Sequence, residues 1–403
     1  MPRIKVVDNT PVPESLPRRL LLGGAHVGGS GYPNAEQTLR LLQKGLRMTM
    51  VECGKWLPPD TVLWQISRKG KLAILLQAAR FAWINLLSVV RALQQGSRGR
   101  CILYVPYPAV PFLWCMSWVP RRLRPPIIAD CYISLWDAWV TDRALSPSKS
   151  LAAAALKKLE RRALRTADWI LTDTEANRRF LVGAFNLEEG KVRSLPLAIE
   201  EDRFIGLPVR IAERGKPCTV LFVGTMIPLH GVETILEAIT LLPPRPCLQF
   251  RLLGDGQIGN QIQRFLAGSG RNDVTWIRSW QSLDEIAREI ATADICLGIF
   301  GGTPKAARVL PFKLYMYLAA GKAIINQTDY SLPEGIPPPP MVTVPPKDPA
   351  ALAAAIESLV ANESRRLALG EDARAFFTRH LGSAAVLARW KDLLAQSTRP
   401  NGG

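Results

Sequence analysis

This 403-residue chain has few histidines and too few acids: three His, and 34 Asp plus Glu against 51 Lys plus Arg, for a formal net charge of +17. Its seven cysteines (Cys53, Cys101, Cys115, Cys131, Cys218, Cys247 and Cys296) are scattered, and no pair has metal or redox spacing. They read as reduced core residues of a cytosolic protein. There is no Asp-x-Asp pair, so no protein-held metal is expected. No run of about 20 uncharged apolar residues exists, which argues against a transmembrane helix. The N-terminus has Pro2, Asp8, Pro11, Pro13 and Glu14 but no apolar core, so no signal peptide is expected. RNA-reading aromatics, zinc spacing and a helix-turn-helix are also missing, which sets nucleic acid aside as a partner.

The positive charge that remains points to phosphorylated substrates or an anionic membrane surface. The length suggests two domains, and strand patterns alternating with helical ones throughout suggest an α/β fold.

The stretch Gly298 to Gln327 organises this reading. An apolar run, Ile295 to Phe300, reads as a buried parallel strand. Gly301 and Gly302 then allow a sharp turn. Lys305, Arg308 and Lys313 follow, and Pro311 is well placed to open a helix that ends at Gly321. A glycine turn, clustered cations and a helix N-terminus favour a bound diphosphate. An ordinary strand–loop–helix with a solvated basic face is the plainer alternative.

In the N-terminal half, a strand at Arg19 to Leu22 leads into a glycine-rich loop, Gly23 to Asn34, containing His26 and Tyr32. Its spacing is not that of a dinucleotide fingerprint. Lys71 to Gln95 is a long helical pattern, read as a buried domain helix with an interfacial membrane helix as the alternative. Trp114 and Trp118 lie beside Arg121, Arg122 and Arg124, a composition that suits a membrane interface or simple packing. Beyond the strand Ile127 to Asp130 stand Asp130, Ser134, Asp137, Asp142 and Arg143, where open α/β sheets bind ligands. Helix capping by Ser134 or Asp137 is the alternative.

The second half repeats the cycle. A strand leads to Gly224-Thr225-Met226-Ile227-Pro228-Leu229-His230-Gly231 and a helix. A second strand leads to Gly254-Asp255-Gly256. Ala293-Asp294, Pro311-Phe312-Lys313 and Ala319-Ala320-Gly321-Lys322 follow. This order resembles the donor domain of family 4 glycosyltransferases, convincingly over roughly residues 217–330 and more weakly before. The resemblance implies two Rossmann-like domains facing each other across a cleft, the GT-B fold. It implies an acceptor-binding unit at 1–205, a linker at 206–216, a nucleotide-sugar unit at 217–382, and a C-terminal helix and tail at 383–403 packing back on the first unit.

The departures are specific. The family has two glutamates eight positions apart, one touching the donor sugar and one the ribose; here these are Arg308 and Met316. Its usual diphosphate-clamping Arg and Lys are replaced by a loop with Thr225, Met226 and His230, so the clamp is expected on Lys305, Arg308 and Lys313. Nucleotide contacts are assigned to Gly224, Thr225, His230, Gly254, Gly256, Lys305, Arg308, Lys313 and Met316. His26, Asp130, Asp137 and Lys313 are the candidates for catalysis and for sugar or acceptor contact. The resemblance implies a retaining, metal-independent hexosyltransferase needing no cofactor beyond its nucleotide-diphosphate-sugar donor. The acceptor would be lipid-linked or a growing polysaccharide, with the enzyme peripheral on the inner face of the plasma membrane. An inactive nucleotide-binding partner protein and a sugar-nucleotide epimerase are the other readings.

Overall fold

The computed structural model describes residues 16–27, 34–57, 71–142, 147, 150–207, 216–279 and 281–397. The glycine-loop positions Gly28, Gly29, Gly31 and Tyr32, together with Arg143, Trp280, most of the 206–216 linker and the 398–403 tail, lie outside the described residues.

The first half runs β1 (Arg19–Leu22), β2 (Ala25–His26), α1 (Asn34–Leu46), β3 (Thr49–Glu52), β4 (Lys55–Trp56), α2 (Lys71–Gly96), β5 (Cys101–Val105) and α3 (Ala109–Met116). It continues with β6 (Ile127–Asp130), α4 (Leu135–Asp137), α5 (Leu151–Leu164), β7 (Trp169–Thr172), α6 (Glu175–Phe185) and β8 (Val192–Ser194). Its sheet is parallel in the order β3-β1-β5-β6-β7-β8. β5 and β6 are buried along their whole length, as expected of strands covered by helices on both faces. β2 and β4, which follow β1 and β3 in the chain, form a separate two-stranded ladder.

After α7 (Asp202–Ile205) the second half runs β9 (Cys218–Val223), α8 (Val232–Leu241), β10 (Leu248–Leu253), α9 (Gly259–Ser269), β11 (Val274–Ile277), α10 (Leu283–Thr292) and β12 (Ile295–Leu297). Then come α11 (Phe312–Ala319), β13 (Ala323–Gln327), β14 (Val342–Val344), α12 (Pro349–Ala361), α13 (Glu363–His380) and α14 (Ser383–Ser397). Its six-stranded sheet is also parallel, in the order β11-β10-β9-β12-β13-β14.

Two segments cross between the halves. Val386, Trp390, Leu393 and Leu394 of α14 share a core with Leu20, Leu39, Tyr104 and Leu171 of the first half. Conversely Ile199 and Phe204, which the sequence reading put in the first unit, pack with Leu221, Tyr315 and Phe377 of the second. The strand expected to reach Phe300 stops at Leu297. There the Asn326 side chain takes the Ile299 amide, 2.9 Å away, in place of a ladder partner.

The halves also meet directly. The Glu175 amide donates to Leu332 O (2.9 Å), the Ala176 amide to Ser331 Oγ (3.1 Å) and the Glu334 amide to Ser194 Oγ (2.9 Å). These bonds bring the C-terminal ends of the first sheet's strands against the second domain, where ligands bind in open α/β sheets.

A candidate donor site beside β9

The loops following β9 and β10 are stacked backbone to backbone. Gly254 has φ +123°, and a Cβ there would stand 2.2 Å from Gly224 O. Gly231 has φ +63°, and its Cβ would meet the Phe300 carbonyl carbon at 2.4 Å. Both positions need glycine on two counts, a left-handed backbone and a lack of space. Gly256 is close in the same way to Met226 O, at 2.6 Å.

His230 sits at the end of a 3-10 turn, Pro228 to His230. Its Nδ1 lies on Thr225 O, a group that only accepts, so the ring carries its proton there. Burial first, and the nearby Lys313 charge second, push its pKa well below the usual 6.5, so it is neutral. It reads as a brace for the loop.

Lys313 lies in the first turn of α11 and is 5% exposed. Its Nζ is 3.4 Å from Gly298 O and 3.8 Å from the centre of the Phe222 ring, and it lies against Gly224. Among the described residues no carboxylate pairs with it. Burial drives its pKa well below 10.5. A buried amine with spare donors, beside a glycine loop at a strand's C-terminal end, can receive an anion, which would favour its charged form.

Lys305 and Arg308 are placed differently. Both lie against a counter-charge of the first domain, Asp137. Arg308 Nη2 is 2.7 Å from Asp137 Oδ2, and Lys305 Nζ is 3.9 Å from the same oxygen. The Arg308 guanidinium also covers the Phe180 ring at 3.7 Å, and its backbone carbonyl accepts from Thr174 Oγ1. The shared diphosphate clamp expected from sequence is thus divided: Lys313 stands at the β9 loop, while Lys305 and Arg308 bridge to Asp137. Met316, placed among the nucleotide contacts by its position, is instead a core residue packed with Leu314 and Phe377 at 4% exposure.

On the first-domain side, Ser134 caps α4 by accepting from the Asp137 amide at 3.1 Å. The capping reading of that turn therefore holds for Ser134, while the Asp137 carboxylate reaches Arg308 of the second domain. Asp130 is buried, and accepts from the Tyr104 hydroxyl at 2.6 Å. Its other oxygen, Oδ1, has no partner among the described residues. Burial raises its pKa to about 8 against a weaker opposing effect of Tyr104.

A folded pKa above the unfolded value gives a contribution to stability that is complete below pH 3.8 and lost as pH rises through about 8. Asp130→Asn, which keeps the acceptor, is therefore expected to be more stable than wild type at pH 8–9 and to match it near pH 4. Melting temperature against pH for the two proteins checks this. His26 is fully buried with neither ring nitrogen bonded to a described residue, its ring edge-on to Trp56 at 5.0 Å. Burial lowers its pKa to about 3. No contact joins it to Asp130 or Asp137 among the described residues.

Some of the motif residues are architectural. Asp294 Oδ2 accepts from the Thr219 amide at 2.8 Å, tying α10 to β9. Buried Lys322 donates to Ala291 O and Ala293 O, both at 2.9 Å. Two further residues, with no motif to mark them, shape the site. Gln327 Oε1 accepts from the Gly302 amide (3.2 Å) and so orders the glycine turn. Glu160 is fully buried beneath Asp137. Its signal was there: it is the single acid among Lys157, Lys158, Arg161 and Arg162.

Residues 217–362, from just before β9 to just past α12, match the model of the family described as Glycosyl transferases group 1. No curated protein matches the chain. Among solved structures, Anabaena Alr3699/HepE in complex with UDP is similar with a TM-score of 0.66 at 12% identity, over 94% of this chain and 100% of that one. Sucrose-phosphate synthase from Thermosynechococcus elongatus is similar with a TM-score of 0.66 at 15% identity, over 94% and 98%. The lipopolysaccharide outer core galactosyltransferase WaaB, in its apo form, gives 0.57 at 14% identity, over 94% and 99%. At these identities the likeness establishes the fold: two Rossmann-like domains in the GT-B arrangement.

Proposed function

We propose, for a GT-B chain whose second domain is a group 1 glycosyltransferase domain, that it transfers a sugar from a nucleotide-diphosphate sugar to an acceptor bound by the first domain. The observation that carries this reading is Lys313, a buried amine with no carboxylate partner among the described residues, set against Gly224 and the His230 brace. Departure of the sugar leaves charge on the β-phosphate. A preorganised ammonium in a site of low dielectric stabilises that charge as it develops. Transfer with retention places the acceptor on the leaving group's own face, with a phosphate oxygen helping to take its proton. Asp130, at the end of β6, and Asp137, in α4 just beyond it, are the candidates for contacts with sugar or acceptor. The structure of HepE with UDP-glucose supports this choice of donor class.

The test is purified protein incubated with a panel of nucleotide sugars, with released nucleoside diphosphate measured by mass spectrometry. Turnover is expected to persist in EDTA. Loss of activity on chelation, restored by Mn²⁺ or Mg²⁺, would contradict the metal-independent mechanism. The pairing of Arg308 with Asp137 and the burial of Met316 favour a second reading, a nucleotide-binding partner without activity. Binding of a nucleotide sugar with no hydrolysis or transfer would select it.

The acceptor is proposed to be lipid-linked and presented at an anionic membrane. No described helix is long and apolar enough to cross a membrane. The support lies on the first domain's surface. α2 turns Leu76, Trp83, Leu86, Leu87 and Val90 to solvent, with Leu76 63% and Trp83 62% exposed. Its expected role as a buried domain helix therefore holds for one face only, the face with Asn85, Ser88, Val89 and Ala92. Trp114, Trp118 and Leu123 are exposed nearby in sequence, and Arg162 stacks on Trp118 at 3.8 Å. Of the three arginines in that cluster, Arg121 pairs with Asp168 and Arg124 donates to Val119 O at 2.6 Å.

A further inference from the structure

Asp137 projects from a helix only three residues long. One turn of helix does not sustain itself, and its first amides have no partner within the helix. Glu160 supplies those partners from α5. Its Oε1 accepts from the Leu135 amide at 2.9 Å and its Oε2 from the Trp136 amide at 2.7 Å. The side chain is fully buried, and no cation pairs with it among the described residues. Lys157, one turn earlier on α5, instead covers the Trp136 ring at 4.7 Å. The Glu160 carboxyl group thus binds two consecutive amides of the turn that carries Asp137 and the hydroxyl of Ser134, the cap of the same turn; burial, outweighing these bonds, raises its pKa to about 7. Asp137 in turn bridges to Arg308 and Lys305 across the cleft.

We infer that Glu160 is the positioning residue of this interdomain bridge: it fixes the α4 turn so that Asp137 meets Arg308 and Lys305 of the other domain. The inference rests on the reading of the cleft as the transfer site only for its consequence in catalysis. The bridge itself forms without donor. A capping role confined to the first domain is the alternative, and the two differ in what happens on the far side of the cleft. There the Arg308 amide donates to Lys305 O and the Ala306 amide to Thr303 Oγ1, in a turn held against the first domain by the bridge.

The experiment is amide hydrogen exchange on the purified full chain without nucleotide, comparing wild type with Glu160→Gln, Asp137→Asn and the double variant. Glu160→Gln replaces one acceptor oxygen with a donor that opposes an amide. It is expected to speed exchange at least about tenfold both in residues 133–139 and, across the cleft, in residues 303–310. Asp137→Asn is expected to speed exchange in 303–310, and the double variant to add nothing there beyond Asp137→Asn alone. Ser134→Ala, which removes the cap on the Asp137 amide and the Ser134 hydroxyl's bond to Glu160 while leaving the Glu160 side chain in place, keeps the test open if Glu160→Gln folds poorly, and should raise exchange in 303–310 by a smaller factor. Exchange that rises in 133–139 while 303–310 stays at the wild-type rate would overturn the inference, as would additive effects in the double variant. Because no donor is present, this outcome is separable from any failure to detect sugar transfer.

Discussion

Replacing Lys313 with alanine is expected to weaken nucleoside diphosphate binding by about 10- to 150-fold. That is the range for losing one charge-assisted phosphate contact of about 1.5–3 kcal/mol. The unliganded protein should not lose comparable stability, because the lysine makes one long bond to Gly298 O and has no carboxylate partner among the described residues. The sign of the pH effect follows from the depressed pKa. Over the interval between the lowered value and 10.5, the unfolded chain binds more protons at this position than the folded one. Stability without ligand therefore gains from this residue as pH rises through that interval. Nucleotide reverses the preference, since the diphosphate favours the ammonium. Within that interval binding should take up a proton and weaken with rising pH in wild type, and do neither through this group in Lys313→Ala. Calorimetry with UDP, in two buffers of different ionisation enthalpy, measures affinity and proton uptake together. Unchanged affinity in the variant would move the donor site away from the β9 loop.

The second large effect is expected at the membrane. An exposed indole that buries about 100 Å² in the interface contributes about 2–3 kcal/mol at roughly 25 cal/mol per Å². Trp83 and Trp118 are both more than 60% exposed. Replacing both with serine should lower partitioning onto anionic vesicles by two or more orders of magnitude, roughly, and this loss should persist at high salt. Arg122→Glu should reduce binding more modestly, by about 1 kcal/mol per charge near the surface, and only at low salt. Arg122 is the informative arginine to change, because Arg121 and Arg124 already have protein partners. Flotation with phosphatidylglycerol-containing and purely phosphatidylcholine vesicles reads both effects. Equal flotation of wild type and the double tryptophan variant on both lipids would remove the membrane from the proposal and leave a soluble acceptor.

The sequence alone determined the periodic elements and the positions that admit one residue type. Buried parallel strands such as Cys101–Val105 and the stretch Val220–Val223 of β9 are continuous apolar runs because helices cover both their faces. Gly231 and Gly254 were legible as turn glycines, since a positive φ and a close backbone neighbour exclude a side chain. The cap at Ser134 was legible for a similar reason: it is a local bond, three residues long. Only the tertiary structure decided how charges pair. Lys305, Arg308 and Lys313 read as one cluster in the chain. Asp137, 171 positions from Arg308, divides them, and no local pattern encodes so distant a pairing. The same holds for Glu160. A lone acid in a basic helix was visible, but its target amides belong to a turn 24 and 25 residues earlier. α2 shows the limit most directly. Its leucines and Trp83 are apolar wherever they point, and only packing against α3 and against β1, β2 and β5 decided which of them face the core and which face water.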